Sequence, residues 1–339
     1  MTVTTTERFE TDAPALLALD WGTSSLRAYL LDSKGETAVR REAPWGILHL
    51  PRPAAEGGFD DALEAVAGDW LTRWPGLPVL AGGMVGSAQG WREAPYVHCP
   101  ADLSALAGQL ACVTARSGAT VHIVPGVLLP GRSDSHGNRL HPDVMRGEEV
   151  QIAGALSAHP EWAREVCMVL PGTHSKWAWV ERGVLTHFAT SMAGELFAVL
   201  RQHSILGRLM PASGAVEQDP SAFLRGVDAG YHAAPGQLIT RLFGVRSLGL
   251  TGELQPQALP DYLSGLLIGS ELAAMLRGSE VAANTPLVLV GTPELTQRYQ
   301  RAMQVAGREP EAVLDNTAPQ GLWKIAGLAG LVNLQGAKA

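Results

Sequence analysis

Apolar residues along this chain come mostly in short runs closed by glycine, proline and polar turns, the pattern of strands buried in a sheet. Leu16-Leu17-Ala18-Leu19 predicts a strand over 16–20, and further strands over 26–31 and 37–42 complete an antiparallel meander. A helix over 60–74 follows, opened by Asp60-Asp61 and stopped by Trp74-Pro75-Gly76. Pro78-Val79-Leu80-Ala81 reads as a buried strand that runs into Gly82-Gly83-Met84-Val85-Gly86-Ser87, and Val121-His122-Ile123-Val124 as another. The polar, turn-rich stretch 130–143 is expected to be a mobile loop near a functional site. After a helix over 147–158 the strand pattern restarts at 166–170, 176–180 and 184–189. Helices are expected at 193–206, 221–232 and 260–277, a buried strand at 286–290, a helix from Glu294, and an Ala- and Gly-rich helix over 318–333.

The restart is a repeat. Gly22-Thr23-Ser24-Ser25-Leu26-Arg27-Ala28-Tyr29-Leu30 returns as Gly172-Thr173-His174-Ser175-Lys176-Trp177-Ala178-Trp179-Val180. Gly, Thr, Ser and Ala keep their offsets, and each copy follows an apolar run, so each predicts strand, tight Gly-Thr turn, strand. A glycine lets backbone pass close to a ligand, and the adjoining hydroxyls and N–H groups can hold phosphate oxygens. Chance similarity of two common turns is the bland alternative, and the matching flanks argue against it. Two such hairpins predict two similar domains with phosphates between them. Asp20 precedes only the first turn, since Leu170 stands at its place in the second. A carboxylate beside phosphates needs a cation, which makes Asp20 the candidate Mg²⁺-side residue rather than a plain turn cap.

Composition bounds the rest. A chain of 339 residues predicts two domains, and 46% hydrophobic residues can fill both cores. A net charge of −7 speaks against nucleic acid or a membrane surface as partner. Cys99, Cys112 and Cys167 are far apart, which fits a reducing cytosol. Residues 1–13 are Thr-rich without an apolar segment and are expected to be a loose arm. No apolar run is long enough to span a bilayer, so a cytoplasmic protein is expected. The division read from the sequence is 14–146 and 147–339, the second domain starting with a hinge helix; a homodimer stays open.

Between the hairpins, Val144-Met145-Arg146-Gly147-Glu148-Glu149 puts two carboxylates at the start of a helix. Acids there complement the helix dipole and cap free N–H groups. Equally, a carboxylate at a domain hinge can take a proton from an attacking hydroxyl. Glu148 is the candidate base and Glu149 the alternative. Arg27, Arg146 and Lys176 border these motifs and offer positive charge for a phosphate or a substrate carboxylate; Arg27 is equally suited to a structural ion pair. The Gly83, Met84, Gly86 and Ser87 loop sits where open α/β sheets bind ligands. Trp91 and Tyr96 beyond it suit stacking on a sugar, or a plug beneath a loop. His174 sits in the second turn, where a structural role is as natural as a phosphate contact. Gly291-Thr292 closes a strand and opens a helix, a place for a nucleoside against backbone.

Taken together these segments resemble a known superfamily. Asp20 to Ala28, Pro171 to Trp177 and Val290-Gly291-Thr292-Pro293-Glu294-Leu295 resemble the two phosphate motifs and the adenosine motif of actin-like ATPases and sugar kinases. The Gly-Asp that supplies the base in those sugar kinases is matched by Gly147-Glu148, with Glu for Asp. From about 14 to 335 the chain is more similar still to the 2-dehydro-3-deoxygalactonokinase family, through Ala81 to Ser87, Gly90-Trp91, Ala94-Pro95-Tyr96, Val144 to Glu149, Ala193-Gly194-Glu195-Leu196, Phe223 to Gly230, and Tyr262 to Gly269. The resemblance implies two ribonuclease-H-like α/β domains with mixed sheets flanking a central cleft. It also implies ATP- and Mg²⁺-dependent phosphorylation of 2-dehydro-3-deoxy-D-galactonate at O6. Gly22, Thr23, Ser24, Gly172, Thr173, His174, Lys176, Gly291 and Thr292 would hold ATP. Arg27, Gly83, Met84, Gly86, Ser87, Trp91, Tyr96 and Arg146 would face the sugar acid. A kinase for the gluconate epimer or another sugar, and a nucleotide-switch ATPase, are the rival readings.

Overall fold

The computed structural model describes residues 2–4, 13–133, 139–211, 219–277 and 281–334. In chain order they form β1 (Thr2–Thr4), β2 (Leu16–Trp21), β3 (Leu26–Leu31), β4 (Thr37–Ala43), α1 (Gly58–Arg73), β5 (Val79–Gly82) and β6 (Tyr96–His98). Next come α2 (Leu103–Ala107), β7 (Ala111–Thr114), β8 (Thr120–Ile123), β9 (Gly126–Leu129), β10 (Arg132–Ser133), β11 (Arg139–Leu140), β12 (Asp143–Met145) and α3 (Glu148–Ala158). The second half holds β13 (Glu165–Leu170), β14 (Ser175–Glu181), β15 (Val184–Ser191), α4 (Ala193–His203), α5 (Pro220–Tyr231) and α6 (Leu238–Leu250). It ends with α7 (Leu259–Leu276), β16 (Leu287–Val290), α8 (Pro293–Val305), β17 (Ala312–Leu314) and α9 (Ala318–Leu328).

Two compact units result: Met1–Arg164 with Trp179–Phe188 and Asn316–Ala339, and Glu165–Ala178 with Ala189–Asp315. In the first, the main sheet runs β1-β4-β3-β2-β5-β8-β7. β2 to β4 are antiparallel neighbours, β2, β5 and β8 are parallel, and β7 returns antiparallel. β2 is buried on both faces, which is why its apolar run lacks alternation. Leu17, Leu19 and Trp21 share one core with Phe59, Leu63 and Val66 of α1, and α9 packs against β2, β3 and β5. A second, three-stranded sheet runs β12-β9-β6.

The unit boundary differs from the division read at 146/147. α3 packs on α9 so closely that a Cβ on Gly154 or Gly321 would strike the Thr317 or Val150 carbonyl. Thr317 Oγ1 also donates to the Gln151 carbonyl at 2.7 Å. The helix after Gly147 therefore belongs with the first unit, and α9 returns to it. That boundary is set by packing between segments distant in sequence. Within the expected N-terminal arm, Thr2–Thr4 pair antiparallel with β4; residues 5–12 lie outside the described ones. The expected mobile loop at 130–143 has paired ends, β10 with β11, while 134–138 are not among the described residues.

The five-stranded sheet has the order β15-β14-β13-β16-β17, with β13, β16 and β17 parallel. This is the order of β4-β3-β2-β5-β8, so the sequence repeat is a topological repeat: a mixed α/β fold of the expected ribonuclease-H-like kind. Arg182 and Gly183, both at positive φ (52° and 75°), join β14 to β15 as a primed two-residue turn. Helices α4, α6 and α7 enclose a core of Leu259, Leu263, Leu266 and Val245. α5 crosses α7 where Gly226, Gly230, Gly265 and Gly269 leave no room for a Cβ. Among the described residues no helix is long and apolar enough to cross a membrane.

Candidate active site

In the first unit the Gly22–Ser25 turn closes with Gly22 N–H donating to the Ser25 carbonyl at 3.0 Å, and Thr23 and Ser24 are exposed. The 46–48 segment covers it from behind: Ile47 and Leu48 N–H donate to the Gly22 and Thr23 carbonyls, and a Cβ on Gly46 would meet Thr23 O at 2.1 Å. Asp20, at the end of β2, meets Arg27 Nη1 through Oδ2 at 3.2 Å, and Arg27 Nε donates to Glu42 at 2.9 Å. Arg27 thus has two acid partners on its own sheet, the structural alternative weighed for it. Burial raises the Asp20 carboxyl above its ordinary pKa, against the pull of Arg27 and a hydrogen bond from Asn316.

The glycine loop and the carboxylate helix converge on this strand end. Asp20 registers with Gly82 across the parallel β2–β5 pair. Gly83, at φ +97°, is packed so close that a Cβ would lie 2.8 Å from Trp21 O. Gly147, at φ +112°, puts its own Cβ position 3.3 Å from Gly83 Cα. Gly147 is the N-cap of α3 and has no side chain to cap with, and the two glutamates turn back onto the N–H groups that precede the helix. Glu148 Oε2 accepts the Arg146 N–H at 3.1 Å, and both Glu149 oxygens accept the Gly147 N–H at 2.7 and 2.8 Å. Their surroundings differ. Glu148 is half-buried; Glu149 is 2% exposed, and burial followed by the Glu148 charge pushes its carboxyl up to about 8.

Arg146 is buried, its guanidinium over the Tyr96 ring at 4.4 Å and Nη2 on the Ala94 carbonyl at 2.9 Å. Its Nε and Nη1, and the Ser87 hydroxyl, are buried without a hydrogen-bond partner. Nη1 abuts Gly86, where a Cβ would meet it at 2.9 Å. Trp91 packs its ring on Phe59, 5.8 Å between centroids, and edge-on to Trp21, as the plug alternative envisaged. Met84 is half-buried in the short helical turn that ends the loop.

In the second unit the turn at Gly172–Ser175 again exposes its middle residues, Thr173 and His174. His174 Nε2 pairs with the Glu195 carboxylate. The start of α4 covers this turn: Glu195 N–H donates to the Thr173 carbonyl at 2.9 Å, and a Cβ on Gly194 would meet Gly172 O at 2.3 Å. Lys176 is buried and its ammonium donates to Thr190 Oγ1 at 2.6 Å. Gly291, whose Cβ position lies 3.7 Å from Pro171 O, brings the adenosine-like turn beside the phosphate-like one. Thr292 stands at the N-cap position of α8, with Pro293 in its first turn. A cavity of about 280 Å³ opens here, lined by Gly172, Gly194, Phe197, Asp261, Glu294 and Arg298 among others. Arg298 is tied to Asp261 at 2.7 Å. Backbone turns, a helix start and an apolar wall suit a nucleotide.

The family model of 2-keto-3-deoxy-galactonokinase matches residues 20–325, nearly the whole of both units. The chain belongs to that kinase family. It is 36% identical over 307 residues to 2-dehydro-3-deoxygalactonokinase of Escherichia coli (strain K12), covering 90% of this chain and 94% of that one. A Rhizobium meliloti (strain 1021) protein named for the same activity, DgoK1, is 32% identical over 303 residues, with 89% and 93% covered. A crystal structure of a Sinorhizobium meliloti protein assigned to that activity superposes with a TM-score of 0.77 at 30% identity, covering 92% and 98%. The chain is accordingly a sugar-acid kinase, a phosphotransferase.

Several residues packed around these turns stand in no motif of their own. Gly46 has no local motif, and Glu195 is one acid in a helix start. Asn316 hydrogen-bonds both Asp20 and Tyr29 Oη, the latter at 2.9 Å, yet stands in an ordinary turn just before α9. Gly194 and Glu195 are signalled in the sequence only by Ala193-Gly194-Glu195-Leu196, one segment of the family resemblance.

Proposed function

We propose that this kinase transfers the γ-phosphoryl group of ATP to O6 of 2-dehydro-3-deoxy-D-galactonate, releasing ADP and the 6-phosphate in galactonate breakdown. The observation that carries the reading is the split between the two glutamates. Glu148 stays half-buried at the helix start beside Gly83, able to accept a proton from the O6 hydroxyl as its oxygen bonds to phosphorus. Glu149, with a pKa near 8, holds its proton at neutral pH and serves the backbone of Gly147. The Gly83–Ser87 loop and Tyr96 form the acceptor wall, and Arg146 supplies its cation through donors that lack partners. The Gly172 turn and the α8 start hold the nucleotide, with Thr23 and Ser24 exposed for phosphate oxygens.

Asp20 fits Mg²⁺ rather than a metal held by protein alone, because no three acidic, His or Cys side chains gather among the described residues. Bound by Asp20, water and phosphate oxygens, Mg²⁺ would neutralise charge on the transferred group. The test is product identity: ³¹P and ¹³C NMR after incubation with Mg²⁺-ATP and either the galactonate compound or its gluconate epimer. Phosphate coupled to C6 of the galactonate compound alone is expected. Equal use of the epimer overturns the specificity, and phosphate elsewhere overturns the O6 assignment.

A further inference from the structure

The second phosphate-like turn is anchored by a chain of buried polar side chains that the transfer chemistry does not use. Ser175 ends the turn and is fully buried, its Oγ 2.7 Å from Tyr299 Oη. Tyr299 Oη donates to Glu271 Oε2 at 3.0 Å, and Trp177 Nε1 donates to Glu271 Oε1 at 2.8 Å. Ser191 gives Glu271 a further hydrogen bond. The four residues come from β14, α7 and α8, and none is more than 5% exposed. Because the Tyr299 proton points to Glu271, the Ser175 proton must point to Tyr299, so the chain has one direction.

Buried polar networks of this kind are expensive unless fully satisfied, and fully satisfied they fix one arrangement. What this one fixes is specific. Tyr299, on α8, lines the cavity that Gly172, Glu294 and Arg298 also line. Apolar residues of the same shape would hold three elements together equally well, so the oriented bonds point to a need for register between the turn and α8.

We propose that Tyr299, through Ser175 and Glu271, is a positioning residue for the nucleotide: it locks the Gly172 turn to the cavity wall. This rests on the reading of that cavity as the ATP site. The consequence is a split between substrates, with ATP binding dependent on the chain and sugar-acid binding independent of it.

The experiment compares wild type, Tyr299→Phe and Ser175→Ala by steady-state kinetics in each substrate and by calorimetric titration with ATP. Tyr299→Phe should raise the KM and Kd for ATP about tenfold, and Ser175→Ala about threefold, in line with one or two lost hydrogen bonds. The sugar-acid KM should stay within about twofold. Should Tyr299→Phe fail to fold, Ser175→Ala decides, since it leaves the Tyr299–Glu271–Trp177 bonds in place. Unchanged ATP binding in the folded variants, or a parallel rise in both KM values, overturns the positioning role. Absence of ATP binding by wild type would instead overturn the reading of the cavity.

Discussion

The two Gly-Thr turns stand on sheets of the same strand order and are each covered by a glycine that follows the third strand, Gly46 in one and Gly194 in the other. In both, the two middle residues are exposed and an N–H from the covering segment takes a turn carbonyl. Around this common frame the side chains diverge. The first turn is bordered by charge, Arg27 joining Asp20 and Glu42, with the α3 glutamates beside the glycine loop. The second is bordered by the His174–Glu195 pair, by the buried Ser175–Tyr299–Glu271 chain and by a cavity. On the proposed function, the repeated scaffold keeps the phosphate-like turn and would divide the remaining work: proton and metal chemistry on one copy, nucleotide positioning on the other.

The largest effect should come from removing the base. Glu148→Gln is expected to lower kcat about 10³-fold while ATP affinity changes less than about threefold. An equal loss in Glu149→Gln with Glu148→Gln active would move the base by one residue. Glu149 makes a stability prediction of its own. Its carboxyl ionises near 4.5 in the unfolded chain and near 8 when folded, so folding takes up a proton between those values. The stability it contributes is full below pH 4.5 and is lost as pH rises through 8. Glu149→Gln should therefore gain on wild type by roughly 3 kcal/mol between pH 5 and pH 8, read from urea unfolding at both.

Asp20→Asn should lower kcat about 10- to 100-fold and raise the Mg²⁺ concentration needed for half-maximal rate. The covering glycines give the smallest and most comparative effect. Gly46→Ala and Gly194→Ala each push a Cβ into a turn carbonyl, at 2.1 and 2.3 Å, and should cost about 1–3 kcal/mol of stability. Their kinetics should differ: Gly194→Ala weakens ATP binding, whereas Gly46→Ala acts chiefly on kcat. Indistinguishable profiles would remove the division of labour between the copies.

Much of this was legible beforehand because the repeat is local. Apolar runs, Gly-Thr turns and the helix after Gly147 are each written within a few residues, and their strands and helix fall where the pattern puts them, to within one or two residues. What escaped depends on distance. α6 was not foreseen: Leu238, Ile239, Leu242, Phe243, Val245, Leu248 and Leu250 surround the helix without a clear face, and no side chain caps its start. α9 stops at Leu328 rather than 333, and its return to the first unit is decided by contacts with α3. Lys176 and Arg27 show the same limit in the site. Sequence places a cation beside a turn, but only the fold reveals Thr190, Asp20 and Glu42 as partners. The difference between Glu148 and Glu149, adjacent acids in one motif, is likewise a matter of burial.

The most direct test of the account is ADP release by the purified protein with Mg²⁺-ATP, with and without 2-dehydro-3-deoxy-D-galactonate. The account predicts release that depends on the sugar acid and is stoichiometric with its phosphorylation. Equal release without the sugar acid would contradict it, because the phosphoryl group would then be passing to water.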